Sequence, residues 1–273
     1  MTLTKEQQDK LERLEADIRN LGSLAVGFSG GVDSIFLLAV AHKVLGDKAI
    51  AVTAADASVP EREMNEAKDF CAAQGIRHYI CTVDPLEIEG YRNNTPDRCY
   101  FCKHAIFSEI LKTAKENGIE YAAEASNTDD LFDYRPGLRA VAELGVVSPL
   151  RDAGFNKADI RAISKTMGLP TWDKPAYACL ASRFVYGEKI TKEKLHMIDE
   201  AEQFLIDNGF TGVRVRMHKD IARIEVREDD IPRIAAEDMR TAVTTRFKQI
   251  GFTYVTLDLA GYKRGSMNAP LGL

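Results

Sequence analysis

The stretch Val26-Gly-Phe-Ser-Gly-Gly-Val-Asp-Ser34 joins an apolar run to a serine-glycine turn. The run covers residues 24–28, and a second apolar stretch, with helical periodicity, follows the turn at residues 35–45. This order predicts a buried strand, a glycine turn and a helix. Two glycines let the backbone approach an anion closely, and the N–H groups at the start of a helix attract one. The stretch therefore predicts a phosphate site, with an ordinary serine-capped turn as the alternative interpretation.

The order of residues in the turn narrows the class of ligand. It differs from both the Gly-x-x-x-x-Gly-Lys-Ser/Thr phosphate loop and the Gly-x-Gly-x-x-Gly dinucleotide turn. The segment Ser29-Gly-Gly-Val-Asp-Ser34 instead resembles the signature of the ATP pyrophosphatases. The resemblance implies that ATP binds here and that its α-phosphate is attacked with release of pyrophosphate. The loop residues expected to bind ATP are Ser29, Gly30, Gly31, Asp33 and Ser34, and Asp33 is also expected to hold Mg²⁺.

Length and charge are those of a soluble enzyme. A chain of 273 residues can bury a sizeable core, and a net charge of −5 argues against nonspecific nucleic-acid binding. No apolar run approaches the roughly 20 residues of a membrane span. Residues 1–20 are charged and helical in pattern, unlike a signal peptide. We therefore expect a cytoplasmic protein with neither a membrane nor a nucleic-acid partner.

Strands alternate with helices over most of the chain, which predicts an α/β fold with a mostly parallel sheet and helices on both faces. The further predicted strands are 49–54, 78–83 and 121–125, and the predicted helices are 60–74, 101–117 and 156–167. Ligands of such sheets sit at the carboxyl ends of the strands. Asp56 and the segment 127–130 follow strands, so we expect them at the same edge as the serine-glycine loop. Asn127 is expected to bind ATP, whereas Asp129 and Asp130 are either ligands or part of a solvated loop.

The pattern changes after about residue 189. Residues 212–217 and 221–226 alternate apolar and charged side chains, as half-exposed antiparallel strands do. Helices are predicted at 191–208 and 229–251, and a third strand at 252–259. The sequence thus predicts a domain at 1–188 followed by a small α+β domain at 189–273.

The cysteines are the second chemical feature, and five in such a chain are expected to be thiols or ligands. Cys99 and Cys102 form a Cys-x-x-Cys pair at the head of a predicted helix, and Cys179 stands alone. The pair is compatible with a redox pair, a zinc half-site or chance, and no convincing further zinc ligand is near. Three cysteines can also hold a [4Fe–4S] cluster with one iron open, although spacing alone does not prove it. Cys71 and Cys81 have apolar neighbours and are expected in the core.

Several stretches, in order along nearly the whole chain, together resemble the ATP-dependent sulfur transferases that make the nickel-pincer cofactor of lactate racemase. They are Ser29-Gly-Gly-Val-Asp-Ser34, Asn93-Asn-Thr-Pro-Asp-Arg-Cys-Tyr-Phe-Cys-Lys103, Asp133-Tyr-Arg-Pro-Gly-Leu-Arg139, Trp172-Asp-Lys-Pro175, Ser182-Arg-Phe-Val-Tyr-Gly187, Val213-Arg-Val-Arg216, Ile221-Ala-Arg-Ile-Glu225 and Val255-Thr-Leu-Asp-Leu-Ala-Gly261. The resemblance implies an adenine nucleotide α-hydrolase-like fold, a homo-hexamer and a pyridinium-3,5-dicarboxylate mononucleotide as substrate. ATP would adenylylate a carboxylate of this substrate, and sulfur would then replace the activated oxygen.

The resemblance leaves two sulfur sources open. Some members sacrifice a cysteine, which becomes dehydroalanine, and others are thought to hold a [4Fe–4S] cluster on three cysteines. Cys99 and Cys102 accompany Cys179 here, and Ala178 stands where we expect the sacrificed cysteine. Both features favour a cluster on Cys99, Cys102 and Cys179, and Cys179 as a sacrificial donor is the alternative.

The resemblance also indicates which cations bind the anionic substrate. Arg214 and Arg216 share one face of a predicted strand and are expected to bind a phosphate or carboxylate. With Arg223 and Glu225 they could instead form an ordinary solvated face, whose ion pairs contribute little. Further candidates for anionic ligands are Arg183, Lys103, Lys174, Lys263 and Arg264, and Trp172 is expected to serve packing.

Three other classes stay open at this stage. A tRNA-thiolating enzyme shares the ATP loop, but the acidic balance and the absence of a basic, aromatic-rich stretch disfavour it. An amide-forming ATP pyrophosphatase, such as an NAD or GMP synthetase, usually takes ammonia from a glutaminase, for which the sequence has no candidate segment. A non-catalytic nucleotide-binding module is the third alternative, and substrate-dependent release of pyrophosphate would exclude it.

Overall fold

Two units make up the chain in the computed structural model, which describes residues 3–132, 136–174, 178–263 and 266–267. The first unit comprises Met1–Pro85 and Asp97–Tyr177, and the second comprises Leu86–Pro96 and Ala178–Leu273. The boundary after residue 188 rests on sequence pattern and stays a prediction. Arg264 and residues 133–135 of the predicted motif lie outside the described residues.

The first unit contains a four-stranded parallel sheet with the strand order β3-β2-β1-β4. The strands are β1 (Leu24–Gly27), β2 (Ala49–Ala55), β3 (His78–Thr82) and β4 (Tyr121–Ala123). Val147 continues the sheet beside β4 through a parallel bridge to Ala123. All four predicted strands are present, and their parallel pairing confirms the predicted sheet.

Helices cover both faces of this sheet. They are α1 (Lys5–Leu21), α2 (Val32–Leu45), α3 (Glu61–Gln74), α5 (Arg98–Glu116), α6 (Gly137–Glu143), α7 (Pro149–Asp152) and α8 (Lys157–Thr166), while α4 (Glu89–Arg92) belongs to the second unit. Successive residues of β1 enter opposite layers, because Leu24 and Val26 pack in one apolar cluster with Phe36. Ala25 packs in the other with Phe107. A strand buried on both faces explains the continuous apolar run in the sequence.

The start of α5 differs from the prediction. The helix begins at Arg98 and not at residue 101, so Cys99 and Cys102 lie within its first turns. Pro96 precedes it, and proline tolerates the approach to a helix because its missing N–H needs no partner there. None of the helices in the described part of the chain combines the length and apolar character that a membrane crossing requires.

The second unit contains a mixed three-stranded sheet with the order β5-β6-β7. β5 (Arg214–His218) runs antiparallel to β6 (Ile221–Glu225), and β7 (Tyr254–Leu257) runs parallel to β6. Its longer helices are α9 (Lys192–Asp207), α10 (Ile231–Ala235) and α11 (Glu237–Ile250). The predicted helix at 229–251 is therefore interrupted at Ala236, whose backbone is extended. The small α+β module is confirmed.

The expectation of half-exposed strands is wrong for β5. Val215 and Met217 are fully buried on one face, and Arg214 and Arg216 are only 4% and 5% exposed on the other. The alternating charge pattern marks a buried ionic face here, because carboxylates from other positions neutralise the arginines.

The segment Leu86–Pro96 joins the second unit through buried backbone contacts. Asn94 is fully buried and donates from Nδ2 to the Val185 carbonyl at 2.6 Å. Its own carbonyl accepts the Gly187 N–H, and the Arg92 carbonyl accepts the Ile190 N–H. This segment therefore takes its partners from residues about 90 positions later in the chain.

Candidate active site

The serine-glycine loop is a compact turn between β1 and α2. Gly30 has φ +69°, in the left-handed region, and a Cβ there would lie 3.4 Å from Ala67 Cβ. Gly31 is the N-cap residue of α2. Ser29 Oγ accepts the Gly31 N–H at 3.4 Å and lies 3.2 Å from Ser34 Oγ. The hydroxyls thus hold the turn at the positive end of the α2 dipole, where backbone N–H groups suit an anion.

Asp33 stands in the first turn of α2 with its two carboxylate oxygens in different surroundings. Oδ2 accepts a hydrogen bond from Lys157 Nζ at 2.6 Å. Oδ1 is buried and has no hydrogen-bond partner among the described residues. Burial raises the pKa of this carboxyl, and the Lys157 charge opposes the rise. A buried carboxylate oxygen without a partner fits a hard divalent cation such as Mg²⁺.

Lys157 is a site residue that the sequence analysis missed. It is the first residue of α8, and Asn156 caps this helix by accepting the Asp159 N–H. The Lys157 backbone N–H donates to Asp129 Oδ2 at 2.9 Å. The N-cap asparagine marks the start of the helix in sequence, but no pattern indicates that the next side chain reaches a loop more than 120 positions earlier.

Asn127 and its acidic neighbours form a locally bonded turn after β4. Asn127 is buried, its N–H donates to Asp130 Oδ2 and its Oδ1 accepts the Asp129 N–H. Asp56 follows β2, where its Oδ1 accepts the Ser58 N–H at 2.6 Å and burial raises its pKa. Because the strands are parallel, these residues and the serine-glycine loop follow carboxyl ends at one edge of the sheet. A direct ATP contact of Asn127 stays a prediction.

Lys103 is joined to a buried carboxylate that the sequence analysis did not single out. Its Nζ lies 3.1 Å from Glu124 Oε2, directly after β4. Glu124 is 3% exposed, and its Oε1 accepts hydrogen bonds from Ser126 Oγ and Ser148 Oγ. Burial acts to raise the pKa of Glu124, but Lys103 and the two hydroxyls together lower it. An acidic residue at the end of an otherwise apolar strand was the available signal.

The helix α6 packs closely on the first turns of α5. A Cβ added to Gly137 would lie 2.8 Å from Lys103 Cδ and 3.2 Å from the Cys99 carbonyl oxygen. The Tyr100 hydroxyl also donates to Glu143 at 2.7 Å. Gly137 therefore allows α6 to approach the part of α5 that carries the cysteine pair.

The five cysteines fall into two groups by exposure. Cys71 is buried in the core, where burial raises its thiol pKa to about 12, and Cys81 is half-buried. Cys99 and Cys179 are exposed, and Cys102 is half-buried. Cys99 and Cys102 belong to the first unit and Cys179 to the second. Within the described residues, no group of three or more His, Cys, Asp or Glu side chains is arranged to hold a metal ion.

Arg183 forms a buried ion pair with Glu202 of α9. Its Nε and Nη2 donate to the two carboxylate oxygens, each at 2.8 Å, and both side chains are almost fully buried. Nη1 donates to the Ala178 carbonyl at 2.6 Å and to the Cys179 carbonyl at 3.2 Å. Glu202 also accepts the Val215 N–H, which ties the pair to β5. A substrate contact of Arg183 stays a prediction.

Arg216 is held in the same manner by Glu225 of β6. Arg216 Nε and Nη2 donate to Glu225 Oε2 at 3.0 and 2.8 Å, and Arg223 donates to Glu225 Oε1. Arg223 also pairs with Asp258 at 3.0 Å. The expected cluster of Arg216, Arg223 and Glu225 is thus present, but it is buried more deeply than a solvated sheet face.

Arg214 stacks on an aromatic ring, with its guanidinium carbon 5.1 Å from the Tyr262 ring centroid. Burial lowers the pKa of Arg214, nearby Arg183 lowers it further, and Glu202 opposes this. A further anion near these guanidinium groups would reduce their mutual repulsion. Binding of substrate by Arg214 and Arg216 stays a prediction.

The remaining predicted cations lie in different places. Lys174 Nζ donates to the Gly30 carbonyl at 3.3 Å and pairs with Glu66, so it contacts the serine-glycine loop. Lys263 is exposed. Trp172 carries Lys165 Nζ over its ring at 4.0 Å.

The parallel sheet and the serine-glycine loop at its edge have the arrangement of an ATP pyrophosphatase. No protein-family model matches the chain. It is 38% identical to pyridinium-3,5-bisthiocarboxylic acid mononucleotide synthase from Lactiplantibacillus plantarum over 96% of this chain and 95% of that protein. It is 39% identical to an uncharacterized Synechocystis protein over 97% of this chain and 98% of the relative. A more distant relative is the glutamine-hydrolyzing GMP synthase of Thermoplasma volcanium, one polypeptide of which is 28% identical over 70% of this chain and 66% of its own length.

The chain belongs to the family of ATP-dependent sulfur transferases of nickel-pincer cofactor biosynthesis, within the PP-loop ATP pyrophosphatase superfamily. It is accordingly an enzyme.

Proposed function

We propose that this enzyme uses ATP to replace a carboxylate oxygen of pyridinium-3,5-dicarboxylate mononucleotide with sulfur. The product would be the thiocarboxylate precursor of the nickel-pincer cofactor. The similarity to the Lactiplantibacillus plantarum synthase over nearly both chains supports the substrate. The single observation that carries the chemistry is the serine-glycine loop with Asp33 Oδ1 buried beside it and lacking a partner among the described residues.

The first step is adenylylation. A substrate carboxylate oxygen attacks the α-phosphorus of ATP, the bond to the β-phosphate oxygen breaks, and pyrophosphate leaves. Ser29, Gly30, Gly31 and Ser34 would bind the polyphosphate, and Asn127 would contact the nucleotide from the same sheet edge. Mg²⁺ held by Asp33 would neutralise charge on the leaving pyrophosphate. Lys157, already 2.6 Å from Asp33 Oδ2, supplies a cation at this end of the site.

The second step replaces the activated oxygen. A sulfur nucleophile attacks the acyl carbon, the bond to the AMP oxygen breaks, and AMP leaves with the electron pair. Cys99, Cys102 and Cys179 would hold a [4Fe–4S] cluster, and their thiolates are the ligand type that such clusters take. When bound, the cluster would supply an open iron position for an exchangeable sulfide. The exposed thiols of Cys99 and Cys179 are accessible for such ligation.

Donation by Cys179 itself is the second candidate, favoured by its exposure. Its thiolate would attack the acyl carbon and expel AMP. Loss of the Cys179 α-proton and cleavage of the Cβ–S bond would then leave dehydroalanine in the chain and the thiocarboxylate on the substrate. Each chain would act once.

Arg214 and Arg216 would bind the substrate phosphate or a carboxylate, because guanidinium forks match these groups. Lys103 would contact an anionic group of the substrate from beside the cysteine pair. A homo-hexamer that acts in the cytoplasm is part of the same proposal.

The test is anaerobic purification followed by measurement of iron and acid-labile sulfide per chain, and then of pyrophosphate, AMP and thiocarboxylate with ATP, Mg²⁺ and the dicarboxylate mononucleotide. About four iron atoms with several products per chain would support the cluster route. A chain that lacks iron after reconstitution, makes at most one thiocarboxylate and loses the elements of H₂S from Cys179 would support the donor route. Absence of substrate-dependent pyrophosphate release would refute the function itself.

A further inference from the structure

The contacts of Arg183 define a clamp on the main chain at Cys179. Of its guanidinium nitrogens, Nε and Nη2 are anchored on Glu202, and Nη1 donates to the Ala178 and Cys179 carbonyls and to Ser182 Oγ. The side chain is 1% exposed. These donors thus point to protein acceptors on both sides, one of them the residue that carries the exposed thiol.

The anchor is itself fixed by a strand. Glu202 Oε1 accepts the Val215 N–H at 2.9 Å in the middle of β5. The Cys179 carbonyl also accepts the Ser182 N–H at 2.9 Å, which closes the short 3₁₀ helix Leu180–Arg183. A second arginine reaches this helix, because Arg216 Nη1 donates to the Ser182 carbonyl at 3.2 Å. The backbone next to Cys179 is therefore held from β5, while its thiol remains exposed.

A buried ion pair of this kind needs a reason other than stability. Replacing such a pair by apolar residues of similar volume is often neutral or stabilising. Only the planar guanidinium can bind a carboxylate with two nitrogens and two carbonyls with a third, whereas lysine offers a single point charge. The arrangement thus gives geometric definition to one stretch of backbone.

We propose that Arg183 is a positioning residue, which with Glu202 as its anchor fixes the main chain of Cys179 for sulfur transfer and does not itself contact the substrate. The inference rests on the proposed function only in giving Cys179 a part in sulfur transfer, as cluster ligand or as donor. A sulfur atom must lie within about 3.5 Å of the acyl carbon to react, and a displacement of about 1 Å can cost roughly a hundredfold in rate.

The test compares Arg183→Lys with Arg233→Lys as a matched control. Arg233 also donates to main-chain carbonyls of the second unit, at Asn208 and Gly209, but not in the Cys179 segment. The readout is the amount of thiocarboxylate formed per pyrophosphate released. Arg183→Lys should lower this ratio by at least about tenfold, because adenylate would form without productive sulfur attack. The control should keep the wild-type ratio, and a general loss of folded enzyme would lower both amounts without changing it.

Amide hydrogen exchange of residues 178–184 supplies a readout that needs no substrate. It should be faster in Arg183→Lys and unchanged in the control. If Arg183→Lys does not fold, the double variant Arg183→Met with Glu202→Leu removes the clamp without leaving a buried charge alone. An unchanged ratio, unchanged exchange, or a rise in KM for the mononucleotide at constant ratio would overturn the inference. Wild-type enzyme that releases no pyrophosphate would refute the proposed function instead, and the exchange measurement would still decide the clamp.

Discussion

Lys157 Nζ lies 2.6 Å from Asp33 Oδ2 and joins the first residue of α8 to the first turn of α2. The pair brings a positive charge next to the carboxylate that is expected to bind Mg²⁺, although 124 positions separate the two residues in the chain. Asp33 thus has one oxygen engaged and one buried oxygen that lacks a partner among the described residues.

Asp33→Ala should reduce pyrophosphate release by about a hundredfold or more, since it removes the expected metal ligand from the site of charge development. The measurement is substrate-dependent pyrophosphate release at saturating ATP. Asp69→Ala, which changes an exposed carboxylate of α3, is the control and should retain the wild-type rate. Release at the wild-type rate by Asp33→Ala would contradict the assignment.

Lys157→Met should shift the acid side of the rate–pH profile toward higher pH. Burial raises the pKa of Asp33 and the Lys157 charge lowers it, so removing the charge lets the pKa rise further. The ionised carboxylate that binds a cation is then reached only at higher pH. The profile of pyrophosphate release measures this, with Lys165→Met on the same helix as the control. A profile that keeps its midpoint would show that Lys157 does not govern Asp33.

Alkylation by iodoacetamide at pH 8 should distinguish the cysteines of the metal-free chain. Burial raises the pKa of the Cys71 thiol to about 12, so almost no reactive thiolate is present at this site. Cys99 and Cys179 are exposed and should react first, as peptide mass spectrometry would measure. Early labelling of Cys71 in folded protein would contradict its place in the core.

Glu124→Gln should lower the free energy of unfolding at pH 7 by about 1–3 kcal/mol, because it removes the charge that Lys103, Ser126 and Ser148 contact. The folded-state pKa of Glu124 is lowered despite burial, so its stabilising effect is complete above the unfolded pKa. It should be lost as the pH falls through the lower folded value.

Urea unfolding of wild type and Glu124→Gln at several pH values would measure this, and the two curves should converge in acid. Glu120→Gln, an exposed change just before β4, should leave the unfolding free energy nearly unchanged. A difference between wild type and Glu124→Gln that grows in acid would reverse the sign of the argument.

The fold of the first unit could be predicted because its signals are local. Continuous apolar runs mark strands buried on both faces, and the turn at Gly30 requires a left-handed backbone that glycine adopts easily. The chemistry of the loop could be predicted for the same reason, since its residues are adjacent in sequence.

The parts that were not predicted depend on partners distant in sequence. The burial of Arg183 and Arg216 follows from Glu202 of α9 and Glu225 of β6, and an alternating pattern cannot distinguish these buried charges from solvated ones. Lys157 and Glu124 were missed because each side chain acquires its role only when separate elements pack. The same reasoning explains why the roles of Arg214 and Arg216 toward substrate require experiment.

The membership of Leu86–Pro96 in the second unit has a consequence for how the protein is made. The chain passes between the units three times, after Pro85, Pro96 and Tyr177. During synthesis, Asn94 leaves the ribosome well before Val185 and Gly187, the residues that its side chain and carbonyl contact. A nascent chain that ends near residue 177 therefore carries an eleven-residue strip whose binding site has not yet been translated. Neither unit can be excised as one uninterrupted gene fragment.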